Sequence, residues 1–200
     1  MRNKAIKRET KETCISAEIN LDSNAECRIK FPIGFMEHMF TAFSRHGNFG
    51  LVIEAKGDLE VDAHHLIEDS GIVLGQCFAG ALQDKSGIER LGFCLFPMDE
   101  ALVQTAVDIS GRSYLSYNTG GLLQGSIYSG STVVDTDIIQ DFWQAFAFNA
   151  GITLHIDVLK GRSAHHIIEA LFKSVARSLR QASRINPEMK GAIPSTKGVL

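Results

Sequence analysis

Alternation of period two marks the first regular element. In "TCISAEINLD", Ile15, Ala17, Ile19 and Leu21 fall on one side, which predicts a half-buried strand. "ALVQTAVDIS" repeats the pattern with Val103, Thr105, Val107 and Ile109. Each is followed by another short strand, "ECRIKF" in one case and "SYLSYN" in the other. The apolar spacing then becomes helical, and "GFMEHMFTAFSRHG" and "DIIQDFWQAFAFNAG" read as helices that close on glycine. Period two returns in "FGLVIEAKGD" and "ITLHIDVLKG". Last come two helices that begin at paired histidines, "HHLIEDSGIVLGQCFAGAL" and "HHIIEALFKSVARSLRQA".

The pattern predicts an α+β protein made of two pseudo-symmetric repeats, each strand, strand, helix, strand, helix, left by an internal duplication. A sheet with one apolar face is covered by its own two helices, which gives a layered sandwich. Residues 1–90 form the first repeat, 91–187 the second and 188–200 a tail, all in one compact unit. Pro and Gly keep the tail from extending the last helix. "NTGGLLQGSIYSGST" breaks the symmetry as an exposed loop or hairpin.

Composition narrows the function classes. A hydrophobic content of 44% supplies a core, and a net charge of −3 gives no electrostatic case for nucleic acid or an anionic membrane as partner. No apolar run approaches the ~18 residues of a membrane span, and "MRNKAIKRETKET" has no apolar signal segment. A cytoplasmic location is therefore expected. Cys14, Cys27, Cys77 and Cys94 lie far apart without C-x-x-C spacing, which suits buried free thiols in a reducing compartment.

The repeated H-H-x-x-E stretch carries the candidate chemistry. Residues i and i+4 share a helix face, so His64 with Glu68 and His165 with Glu169 can each clamp a metal. His65 and His166 point elsewhere, because adjacent helical positions diverge by about 100°. One motif thus feeds two sites, and two motifs supply two metals, each with a His–Glu clamp from one half and a histidine from the other. Imidazole and carboxylate together suit Mn, Fe or Zn rather than Mg or Ca. Aligning the first helices sets His38 opposite Asp141, two further ligand candidates. His155 competes for the ligand role, but it aligns with Val52 and alternates away from Leu154 and Ile156, so it reads as a partly exposed histidine or one that supports a ligand from behind. His46 precedes Gly47 and is either a helix-terminal capping group or a substrate contact.

"HHLIEDSGIVLGQ", "PMDEALV", "DISGRSYLSY", "TLHI", "HHIIEALFKSVARSLRQA" and "PSTKGVL" together resemble imidazoleglycerol-phosphate dehydratase of histidine biosynthesis. The likeness runs in order from Arg8 of "RETKET" to the end of the chain. It implies a hydro-lyase that converts imidazoleglycerol phosphate to imidazoleacetol phosphate with two Mn ions per site. It also implies trimers assembled into a 24-mer shell, with active sites between subunits. Carried over residue by residue, the metal ligands are His38, His64, His65, Glu68, His165, His166 and Glu169, with Asp141 where many members have histidine. Glu12 matches the glutamate beside the reacting carbons. Arg90, Arg112, Ser195 and Lys197 match phosphate-binding positions, so the tail contributes to that site, and Lys173 lies in a substrate-associated stretch. Glu37, Ser113 and the Arg162-Ser163 pair depart from the family pattern beside the site.

Overall fold

The computed structural model describes residues 1–198 and 200; Val199 of the "PSTKGVL" motif lies outside the described residues. The first half runs β1 (Asn3–Glu9), β2 (Thr13–Asn20), β3 (Cys27–Lys30), α1 (Gly34–Gly47), β4 (Gly50–Gly57) and α2 (His64–Leu82). The second repeats it as β5 (Leu91–Met98), β6 (Ala101–Asp108), β7 (Tyr114–Asn118), α3 (Ile138–Ala150), β10 (Thr153–Lys160) and α4 (Ala164–Ser183). The symmetry-breaking segment is a hairpin, β8 (Ser126–Ser129) with β9 (Thr132–Asp135). The predicted repeat is present, and each copy gains one leading strand, β1 or β5, that the hydrophobic pattern did not reveal.

Each half builds a four-stranded sheet with the same order, β1-β2-β4-β3 and β5-β6-β10-β7. Among the described residues, only the β3–β4 and β7–β10 pairs are parallel. The inward positions of β2 and β6 are those the alternation selects: Ile15, Ala17 and Ile19, and Val103, Thr105 and Val107, are all buried. Helix α2 covers β1 and β2, α1 covers β3, α4 covers β5 and β6, and α3 covers β7. The two helical layers then meet, α2 on α3 and α1 on α4, so the order is sheet, helices, helices, sheet. Phe40, Phe142, Trp143 and Phe172 fill the space between them.

Two glycines set the α2–α3 crossing. A Cβ on Gly71 would meet the Phe142 carbonyl oxygen at 2.4 Å, and one on Gly75 would meet that of Phe146 at 2.6 Å. Their four-residue spacing puts both on one face of α2, so the backbones close in and the first turns of α2 and α3 come together. Gly71→Ala is expected to cost about 1–3 kcal/mol by overpacking. A urea midpoint matching the parent protein would show that the crossing tolerates a methyl group.

Two details differ from the sequence reading, and a third adds to it. Helix α1 ends in a left-handed Asn48 rather than on Gly47, whereas α3 does end on a left-handed Gly151. All four cysteines are free, yet only Cys77 is buried, and Cys27 is exposed on the edge strand β3. Arg180 and Arg2 reach main-chain carbonyls of the opposite half, at Leu21 and Ser183, and tie the two halves together.

Candidate metal centre and active site

Both histidine pairs occupy the first turn of a helix, where amide groups lack partners within the helix. Asp62 accepts the His64 amide hydrogen at 2.7 Å, and Ser163 caps α4 by accepting that of His166 at 3.4 Å. In each pair the two rings then face different neighbours.

The inner histidine of the second pair makes the tightest cluster. Glu169 Oε2 lies 3.3 Å from His165 Nε2, one helical turn away, and Glu169 Oε1 lies 3.3 Å from His38 Nε2 on α1. The three ligand atoms fall within 4.8 Å of one another, close enough to bind one ion. Glu169 forms the floor, its side chain 9% exposed, while both histidines are about half exposed. Burial pushes the Glu169 carboxyl up, but Lys173, with Nζ at 2.7 Å, and His38 outweigh it and hold it below the usual carboxylate range. Two imidazoles and an ionised carboxylate are a donor set for Mn, Fe or Zn.

Its pseudo-symmetric counterpart is looser. His64 presents Nε2 to Glu68 at 3.6 Å and Nδ1 to Asp141 at 4.0 Å, so the two carboxylates address opposite ring nitrogens. Among the described residues, only His38, His165 and Glu169 bring three ligand atoms within 4.8 Å. The reason is length. Asp141 occupies the backbone place of His38, and a carboxyl on one methylene stops short of where an imidazole Nε2 arrives.

The outer histidines turn to acids that the sequence reading missed. His65 Nδ1 is 3.0 Å from Asp58, with Glu12 at 4.0 Å. His166 Nδ1 is 2.8 Å from Glu100, with Asp99 at 4.0 Å. The hydrogen bonds that Asp58 and Glu100 accept raise the pKa of His65 and His166, and His166 holds Glu100 down to about 2. A metal taking either outer histidine must therefore displace a proton held more firmly than usual.

The residues assigned to phosphate gather elsewhere. Arg90 is bidentate to Asp108 at 2.7 and 3.0 Å and donates to the Pro194 carbonyl at 2.8 Å, which docks the tail. Its backbone is left-handed, with φ 70°. Arg112 reaches to within 3.8 Å of the same Asp108 and stays 68% exposed. Ser195 and Lys197 share a turn in which the Lys197 amide donates to Ser195 Oγ at 3.2 Å. The Arg90 amide donates to the Ala182 carbonyl near the end of α4, whereas His165 and His166 sit at its start. At 1.5 Å per residue, about 24 Å separates the two groups within one chain.

Lys173 and His46 belong to the metal end. His46 packs edge-on against Phe96 at 5.4 Å and caps nothing. Burial lowers its pKa, and Lys173 and Arg177 lower it further. His155 is exposed against Tyr114, as its alternation predicted, and touches none of these groups. Arg112→Ala is expected to raise the KM for a phosphorylated substrate by roughly tenfold or more at near-parental stability, since its guanidinium is a charged donor with little packing. An unchanged KM would remove Arg112 from the phosphate site.

Residues 32–179 match the family model described as imidazoleglycerol-phosphate dehydratase. Imidazoleglycerol-phosphate dehydratase of Lacticaseibacillus casei is 52% identical over 200 residues, covering all of both chains. That of Lactiplantibacillus plantarum is 50% identical over 203 residues, again covering all of both. The crystal structure of the Staphylococcus aureus dehydratase superposes with a TM-score of 0.80 at 37% identity, over 92% of this chain and 99% of that one. A structure from Pyrococcus furiosus gives 0.79 at 34% identity, over 98% and 100%.

Proposed function

The chain belongs to the imidazoleglycerol-phosphate dehydratase family of hydro-lyases in histidine biosynthesis, and on that premise we propose that it eliminates water from imidazoleglycerol phosphate to give imidazoleacetol phosphate, using two Mn ions per active site. The observation that carries this reading is the His38–His165–Glu169 cluster, whose donors suit such an ion and whose members have counterparts in Asp141, His64 and Glu68 of the opposite halves.

His38, His165 and Glu169 would hold one ion, and His64, Glu68 and Asp141 the other. His65 and His166, which face away from their own clusters, would complete the coordination in neighbouring copies. When bound, the ions supply Lewis acidity at the imidazole ring of the substrate and make its N–H more acidic. Glu12, its side chain 56% exposed beside His65, is the base that takes the proton from the carbon adjacent to the one bearing the departing hydroxyl. Arg90, Arg112, Ser195 and Lys197 would hold the phosphate, with Lys173 and His46 facing it from the metal end.

The separation along α4 supports an active site shared between subunits. Three carbons and an oxygen link the ring of the substrate to its phosphorus, roughly 6–8 Å at about 1.5 Å per bond. A substrate of that length cannot span about 24 Å. A homo-oligomer of trimers in a 24-mer, in the cytoplasm, is the proposed assembly.

Subunit mixing tests the sharing. Glu169→Gln and the Arg90→Ala/Arg112→Ala variant, each nearly inactive alone, are dissociated, combined and reassembled with Mn. Random pairing should restore about a quarter of the parental activity, because a site with one intact half from each chain is whole. No recovery in a properly sized mixed oligomer would place both halves of the site on one chain and contradict the reading.

A further inference from the structure

The two halves carry the same hairpin and use it differently. Arg8 pairs with Ile15 as Phe96 pairs with Val103, so strand register makes Glu12 the counterpart of Glu100. Each glutamate stands one residue before its second strand. Glu100 is occupied by its histidine at 2.8 Å. Glu12 is not, because Asp58 holds His65 in its place at 3.0 Å. Past a bulge between Val158 and Lys160, Lys160 pairs with Leu102 as Lys56 pairs with Cys14, so Gly161 matches Gly57 and Arg162 stands at the position of Asp58. An arginine cannot accept a hydrogen bond from His166 as Asp58 does from His65, and Glu100 takes that role. Only in the first half is the hairpin glutamate left free.

A second difference fixes the turn that carries it. Thr10 Oγ1 accepts the amide hydrogens of Glu12 at 3.1 Å and Thr13 at 2.9 Å. Thr13 Oγ1 donates to Asp69 Oδ2 at 2.5 Å, and Arg8 Nη2 stands 3.2 Å from Asp69 Oδ1. Asp69 and Thr13 are buried, and the burial of polar groups is tolerated only because they satisfy one another. The counterparts of Arg8, Thr13 and Asp69 in the second half are Phe96, Ala101 and Ala170, which can form no such network. The fold therefore stands without it, and the one hairpin that keeps it is the one whose glutamate is free.

We propose that Asp69, Thr13 and Arg8 form a clasp that holds the Thr10–Thr13 turn so as to aim Glu12 into the active site. All three are positioning residues, and the inference rests on the reading of Glu12 as the base.

Thr13→Val removes only the hydroxyl, and Thr13→Ser restores it. In the Mn-loaded, assembled enzyme, Thr13→Val should lower kcat roughly tenfold or more with little change in KM, as a slightly misplaced catalytic group does. Amide hydrogen exchange at Glu12 and Thr13 should speed up, while α2 stays protected and the Mn content is unchanged. Thr13→Ser should behave like the parent. In a Glu12→Gln background, Thr13→Val should lower kcat no further, because the clasp acts through that carboxylate. Arg8→Met, at a half-exposed position, should give the same pattern more weakly and decides the matter if Thr13→Val fails to fold. Parental exchange rates at Glu12 and Thr13, or kcat losses that multiply with that of Glu12→Gln, would overturn the clasp. Should Glu12→Gln itself turn over normally, the base assignment fails, and the exchange rates alone then decide whether the clasp exists.

Discussion

Glu12→Gln should lose about 10²–10⁴ of kcat, the range for removing a positioned general base, while metal content, assembly and KM stay near parental values. The carboxylate is exposed, makes no ion pair closer than 4.0 Å among the described residues, and sits on a turn whose own hydrogen bonds are main-chain and threonine contacts. Neutralising it removes nothing that the fold or the metal clusters use. The outcome separates two roles. A fall in kcat with full metal occupancy marks a group that acts on the substrate. A parallel fall in metal content would instead make Glu12 part of the metal site through His65.

Glu169→Gln should act the opposite way, with metal lost first and turnover with it. Glu169 bridges His38 and His165, and an amide cannot supply the charge that its carboxylate gives an ion. The loss of affinity should exceed the 10–100-fold typical of residues that merely orient ligands. Metal-free protein should also lose stability at neutral pH, by about 2–3 kcal/mol. That is less than a fully buried pair would lose, because Lys173 keeps some contact with solvent. The sign with pH is fixed by the lowered Glu169 pKa. Its contribution is complete above the ordinary carboxylate range and is lost as pH falls through the lowered value. The gap between parent and variant should therefore close in acid. Full metal occupancy in the variant would exclude Glu169 as a ligand.

The chain discloses the inner clusters because their logic is local. A histidine and a glutamate four residues apart on a helix must meet, and the duplication pairs each clamp with a residue from the other half. What escapes the pattern has physical causes. Strand β1 carries Lys7 and Glu9 outward at a sheet edge and lays Lys4 against α2, with only Ile6 and Arg8 half-buried, so a charged run hides a strand. Strand β5 hides for the opposite reason. Leu91, Phe93 and Leu95 are 57%, 72% and 57% exposed, so both of its faces are apolar and no alternation appears. Asp58 and Glu100 reach their histidines from turns, whose conformations helix and strand periods do not encode. Alignment equates Asp141 with His38 by backbone position, but reach depends on side-chain length, and the shorter group leaves the second cluster more open.

If the doubled motif exists to hold two ions per active site, turnover must track metal content up to two ions, a claim that a metal titration decides. The purified oligomer is stripped with chelator, supplied with imidazoleglycerol phosphate and titrated with Mn while dehydration is followed. Activity should vanish on stripping and return in full near two Mn per chain, with both His165→Ala and His64→Ala lowering that number. Full activity in the stripped enzyme, or a plateau at one Mn per chain that His64→Ala leaves untouched, would contradict the claim.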